Sequence, residues 1–137
     1  KKVFGIYICF VICFRYCGHG SGGKYLPGFD LQQLTCRSVA LLMGCSSGEL
    51  HIKGQLDPAG MMLNYFLADC PCVIANLWDV TDKDIDRFLE SLLRKWLPST
   101  PGSSLLNIIP EAREACRLRY LTGAAPVVFG FPVFLKK

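Results

Sequence analysis

Four apolar runs, at residues 8–17, 39–44, 72–78 and 127–130, leave this chain few ways to fold. A strand with one wet face alternates apolar and polar residues, because successive side chains point to opposite faces. Continuous Val/Ile/Leu runs instead suit strands covered on both faces, as in a parallel sheet. Helix signals separate the runs. Asp57-Pro58 pairs a capping residue with a proline at the first helical position, ahead of Met61, Met62, Tyr65 and Phe66. Thr81 is a candidate N-cap, with Asp82 and Asp84 in the positive first turn. Ile85, Phe88, Leu89, Leu92, Leu93 and Trp96 then share one helix face until Pro98. Residues 99–104 read as a linker, and a further helix is expected over 110–120, closed by Gly123. Strands alternating with helices predict an α/β layered fold with a mostly parallel sheet flanked by helices.

The 137 residues are enough for one domain, and 51% are hydrophobic, enough to fill a core. The net charge of +4 hides a segregation: between Asp30 and Glu90 there are nine acids against four bases. An acidic mid-chain field favours a cationic ligand and argues against nucleic acid, which needs a basic stripe with aromatics. Of eight cysteines, Cys9, Cys13, Cys17, Cys70 and Cys72 lie in or beside apolar runs, where a thiol packs as a small hydrophobe. That usage predicts a reducing compartment rather than a disulfide scaffold. Lys1-Lys2 followed by residues 3–14 resembles the start of a signal peptide, but it has no small-residue cleavage site. It is also shorter than the roughly 18 residues a membrane span needs, so a buried strand is the expectation there.

Two of the runs end in small-residue turns that present a reactive side chain. One is Tyr16-Cys17-Gly18-His19-Gly20-Ser21-Gly22, the other Leu41-Leu42-Met43-Gly44-Cys45-Ser46-Ser47-Gly48. A thiol is a strong nucleophile only as the thiolate, and imidazole is its usual activator. In open α/β sheets ligands bind beyond the carboxyl ends of the strands, where both turns are expected. His19 and Cys45 therefore read as a hydrolytic dyad, with the Cys45 and Gly20 amides as oxyanion donors. His51 is the runner-up base. Zinc is not expected, since Cys70-Pro71-Cys72 has one residue between its thiols instead of two to four. Asp82 and Asp84 fit a helix N-terminus. Asp79 and Asp86 fit that role less well, and either carboxylate would suit a substrate guanidinium.

These stretches resemble the protease domain of the separases. So do Ala75-Asn76-Leu77-Trp78-Asp79-Val80-Thr81-Asp82-Lys83-Asp84-Ile85-Asp86-Arg87 and Tyr120-Leu121-Thr122-Gly123-Ala124-Ala125-Pro126-Val127-Val128. The resemblance covers residues 11–137, with residues 1–10 as a lead-in unlike the family. It implies a caspase-like fold, incomplete at its N-terminal side because the family's protease domain carries further elements upstream. It also implies a cysteine endopeptidase that cuts the kleisin subunit of cohesin after Arg. Cys45 would be the nucleophile, His19 the base or proton shuttle, and Gly20 with Cys45 the oxyanion hole. Asp86, or failing it Asp79, would hold the substrate Arg. The resemblance further implies securin as inhibitor, no cofactor, no direct nucleic-acid or membrane partner, and a place in nucleus and cytoplasm. Two other readings stay open: a protein-binding fragment whose dyad is out of register, and another caspase-like peptidase.

Overall fold

A computed structural model of the chain describes residues 13–52 and 54–135. The expectations for the lead-in, and for the first residues of the 8–17 run, lie outside the described residues. Four strands form one sheet in the order β1 (Cys13–Tyr16), β2 (Val39–Leu42), β3 (Cys72–Asn76), β4 (Pro126–Gly130). The first three are parallel and the last is antiparallel to β3. The apolar runs thus mark every strand, and the sheet is mostly parallel as expected.

Both faces are covered. Val39, Leu41, Cys72 and Ile74 point to one side, and Met43 just past β2 joins them. They pack on Ile85, Phe88, Leu89, Leu92 and Trp96 of α3 (Asp82–Trp96) and on Leu105, Ile109 and Ala112 of α4 (Leu105–Arg113). Ala40, Leu42, Val73 and Ala75 point to the other side. There they meet Leu31 of α1 (Gly28–Gln32) and Met62 and Tyr65 of α2 (Met61–Leu67). The strands keep their two-residue alternation, but each face has its own helix layer, so no polar residue is needed in β2.

Two helix expectations need correction. α2 starts at Met61 behind Gly60, not at Asp57-Pro58. Residues 51 and 59 pair instead: His51 N donates to Ala59 O at 2.8 Å, and Ala59 N to His51 O at 3.0 Å. This pairing keeps the chain before α2 extended. The helix expected over 110–120 spans Leu105–Arg113 instead, ending well short of Gly123, and is capped by Ser104, whose hydroxyl accepts from Leu106 N at 3.3 Å. Pro110 sits inside it on the exposed face. The proline removes one backbone donor, while Leu105, Ile109 and Ala112 still bury on the opposite side. The short α1 had no periodic signal. At α3, Thr81 occupies the N-cap with extended backbone but makes no side-chain capping bond.

Candidate functional site

His19 and Cys45 occupy equivalent places on neighbouring strands. Tyr16 and Leu42, the last residues of β1 and β2, are register partners in a parallel pair. His19 and Cys45 each follow by three residues, so both turns leave from one rim of the sheet. They also touch. A Cβ on Gly44 would lie 1.9 Å from the Gly20 carbonyl oxygen and 2.6 Å from that of Gly18. Only glycine allows the histidine loop to ride this closely over the cysteine turn. Met43 N donates to Tyr16 O at 2.9 Å, which carries the pairing of the two strands past their ends.

The cysteine turn is held from below by buried polar groups. Asn76, fully buried at the end of β3, donates through Nδ2 to Gly44 O at 3.0 Å. Ser47 Oγ donates to Leu42 O at 2.6 Å and accepts from Asn76 N at 3.1 Å. Ser46 adopts a left-handed φ of 49°, unusual for a side-chain-bearing residue. Its amide donates to Trp78 O at 3.1 Å and its hydroxyl to Asp79 Oδ1 at 2.8 Å. The partly buried Cys45 thiol donates to Val80 O at 3.3 Å. The segment after β3 therefore buttresses the cysteine turn. Asn76 was not singled out in the sequence as a site residue. Its signal was a lone amide ending an apolar strand, since a buried amide must find partners.

The histidine loop is more open. His19 is exposed, and the Tyr16 hydroxyl donates to its carbonyl at 2.9 Å. Gly20 and Ser21 border a cleft of about 410 Å³ together with Cys45, Ser46, Ser47 and Glu49. His51, Met61 and Asn64 complete this cleft. The runner-up His51 thus faces the same cleft, on its far wall, with Nδ1 3.7 Å from the Glu49 carboxylate.

The four aspartates divide into different roles. Asp79 is engaged by Ser46. Asp82 is exposed in the first turn of α3. Asp84, read from sequence as a helix-terminal charge, is instead buried. Its carboxylate accepts from Leu118 N at 2.9 Å, Arg117 N at 3.1 Å and Arg87 Nη1 at 2.6 Å. Those bonds, the Leu118 one foremost, hold its carboxyl below the usual range against the opposing effect of burial. The residue pins the loop whose Leu121 carbonyl receives Trp78 Nε1 at 3.0 Å. Asp86 is exposed and borders a second depression with Arg15, Cys17 and Leu89, beside the exit of β1. Its charge helps raise the Cys17 thiol, chiefly after desolvation, while Arg15 opposes the rise. Among the described residues, Asp86 makes no ion pair. No group of three His, Cys, Asp or Glu side chains converges as a metal site, and no helix is long and apolar enough to cross a membrane, again among the described residues.

A sheet between two helix layers, with its functional turns at the carboxyl rim, puts the fold in the caspase-like α/β class. Solved structures agree. The chain superposes on separase in a crystal structure of the Saccharomyces cerevisiae separase–securin complex, with a TM-score of 0.79 at 42% identity. That match covers 89% of this chain and 8% of the crystallised one. The family model for the protease domain of separin matches residues 12–85. The separin of Mus musculus is 51% identical over 121 residues, covering 88% of this chain and 6% of that protein. The separin of Schizosaccharomyces pombe is 46% identical over 128 residues, covering 89% and 7%. The chain belongs to the separin protease-domain family, and it spans less than a tenth of the length of these relatives.

Proposed function

We propose that this chain carries the catalytic centre of a separase-like cysteine endopeptidase that cuts after arginine. One observation supports this above the others: the Gly18–His19–Gly20 backbone packs directly on Gly44, the residue before Cys45. A base and a nucleophile carried on touching turns meet the proximity that such chemistry needs.

On this reading His19 accepts the Cys45 Sγ proton, and the thiolate attacks the scissile carbonyl carbon. The oxyanion receives the N–H groups of Gly20 and Cys45. The carbon–nitrogen bond breaks as the imidazolium protonates the leaving amine, and water activated by His19 then hydrolyses the thioester. The thiol must first leave the Val80 carbonyl on which it rests. Asp86 is the partner for the substrate guanidinium, because Asp79 already has an oxygen committed to Ser46. The substrate is the kleisin subunit of cohesin and the inhibitor is securin, the protein crystallised with the yeast relative. Nucleus and cytoplasm are the corresponding setting. The chemistry uses no cofactor.

A peptide ending in Arg and bearing a thiol-reactive carbon tests the reading. It should label the wild-type chain and not Cys45→Ser; labelling that survives in Cys45→Ser rules out the dyad. Failure to label a folded wild-type chain supports a protein-binding fragment instead, in keeping with the thiol's bond to Val80. Asp86→Asn should cut the preference for Arg over a neutral residue by roughly tenfold or more, the worth of a charge-assisted bond. If Asp79→Asn does so and Asp86→Asn does not, the assignment of the pocket is wrong.

A further inference from the structure

The rim of the sheet opposite Cys45 carries a pair of thiols. Cys36 lies in the segment leading into β2, and Cys70 in the segment leading into β3. Because β2 and β3 are parallel neighbours, the two lead-ins run side by side. Cys36 N donates to Ala68 O at 2.6 Å, fixing that alignment. Ser38 then joins both sulfurs: Cys36 Sγ is 3.3 Å from its hydroxyl, and Cys70 Sγ donates to its carbonyl at 3.0 Å. We propose that Cys36 and Cys70 form an oxidisable dithiol, which closes to a disulfide when a hydroperoxide reaches the partly exposed Cys36.

The surroundings set the order of events. Cys70 is buried, and burial pushes its thiol up to about 12, with the adjoining Cys36 thiol adding to the rise. Burial also pushes the Tyr65 hydroxyl up to about 12, and Cys36 and Cys70 contribute there too. Three acidic groups thus share one site, and the buried thiol stays protonated at neutral pH. It is a poor first target for an oxidant, because the thiolate is the reactive form. Cys36 is therefore attacked first: its sulfur bonds to one peroxide oxygen, the oxygen–oxygen bond breaks, and an alcohol or water leaves. The resulting sulfenic acid meets the Cys70 sulfur, the sulfur–sulfur bond forms, and water leaves with the Cys70 proton. Two thiols are oxidised and one peroxide is reduced. Continued through the lead-ins, the Ala40–Val73 register sets Cys36 opposite residue 69, one residue from Cys70, and both sulfurs reach Ser38, so the lead-ins have only a local adjustment to make toward the roughly 4.4–6.8 Å between Cα atoms that a disulfide spans. Of the other described thiols, Cys45 lies past the opposite rim and Cys17 at the exit of β1; Cys72, whose carbonyl also accepts from Cys70 Sγ at 3.3 Å, turns its side chain to the opposite face of the sheet, as does Cys116, which donates to Asp84 O.

The test uses the 137-residue chain with Cys45→Ser to remove the competing nucleophile. It is treated with tert-butyl hydroperoxide, quenched with an alkylating agent in denaturant, and its peptides are mapped by mass. One cross-linked species, Cys36 to Cys70, should dominate other pairings by at least tenfold and disappear on treatment with dithiothreitol. In Cys36→Ser, alkylation of Cys70 after the same treatment should fall by less than twofold. The proposal fails if Cys36 and Cys70 both stay alkylatable under conditions that oxidise Cys17. It fails equally if Cys36 accumulates as sulfinic acid while Cys70 remains reduced.

Discussion

The two turns that meet at the carboxyl rim of the sheet are built to different standards. The cysteine turn leaves a central strand and is clasped by the buried Asn76 and Ser47 and by the more open backbone of residues 78 and 80. The histidine loop leaves β1, which among the described residues is an edge strand paired only with β2, and its histidine is exposed. Its ties are a tyrosine hydroxyl, one backbone bond from Met43, and the contact on Gly44. On the proposed reading, the nucleophile's turn must hold an oxyanion donor and a sulfur in fixed relation, so rigidity serves it. A base that takes a proton from one atom and gives it to another would have to shift between them, and a loosely held loop permits that.

The largest effect should come from joining the two standards by force. Gly44→Ala drives a methyl group into the Gly20 carbonyl, 1.9 Å from the oxygen, so backbone must move. Labelling by the Arg-directed probe should drop by about 100-fold or more, because displacement of a reacting group by an ångström has that cost. Overpacking should lower stability by roughly 3 kcal/mol, read by denaturant titration. Wild-type labelling in a folded Gly44→Ala chain would mean that the turns work apart, and the contrast between them would lose its meaning.

The same asymmetry explains what the sequence revealed. Strands β2 and β3 and helix α3 were legible, because burial on both faces writes itself into continuous apolar runs and burial on one face into a three-to-four-residue repeat. The paired turns were legible because glycines and serines bracket one reactive residue each. The reading failed where tertiary contacts outbid local signals. Asp57-Pro58 has good capping chemistry, yet the pairing of His51 with Ala59 takes that segment. Pro110 looks like a helix start, but Ser104 caps α4 earlier and the core holds Leu105 and Ile109. Asp84 resembles its neighbours in sequence and differs only in what folds over it, the 117–118 backbone. No local pattern announces a partner 33 or 34 residues away.

Asp84 offers the intermediate effect, on the cysteine side. Its carboxyl is held low in the folded chain, so its stabilising contribution is complete above the unfolded value of 3.8 and is lost as pH falls through the lower folded value. Thermal midpoints measured from about pH 6 down to about pH 2 should therefore fall for the wild type. Asp84→Asn should start lower at pH 6, since its amide must present a donor to backbone donors, and its curve should be flatter in acid. An equally steep acid limb in Asp84→Asn would transfer the dependence to other carboxylates. Loosening the 117–121 loop also frees Trp78, whose carbonyl holds Ser46, so labelling should fall along with stability.

The smallest effect belongs to the histidine side. Tyr16→Phe keeps the ring that packs under Gly22 and removes only the hydroxyl bond to the His19 carbonyl. That bond is exposed, so its net worth is at the low end for hydrogen bonds, about 0.5 kcal/mol. The thermal midpoint should fall by only about 1–3 °C, while the labelling rate should drop roughly two- to threefold, the same energy expressed as a rate. A rate loss paired with so small a stability loss marks a loop that sets the base's position. If Tyr16→Phe lowers the midpoint by much more than this, the histidine loop is as rigidly built as the cysteine turn, and the contrast between the two dissolves.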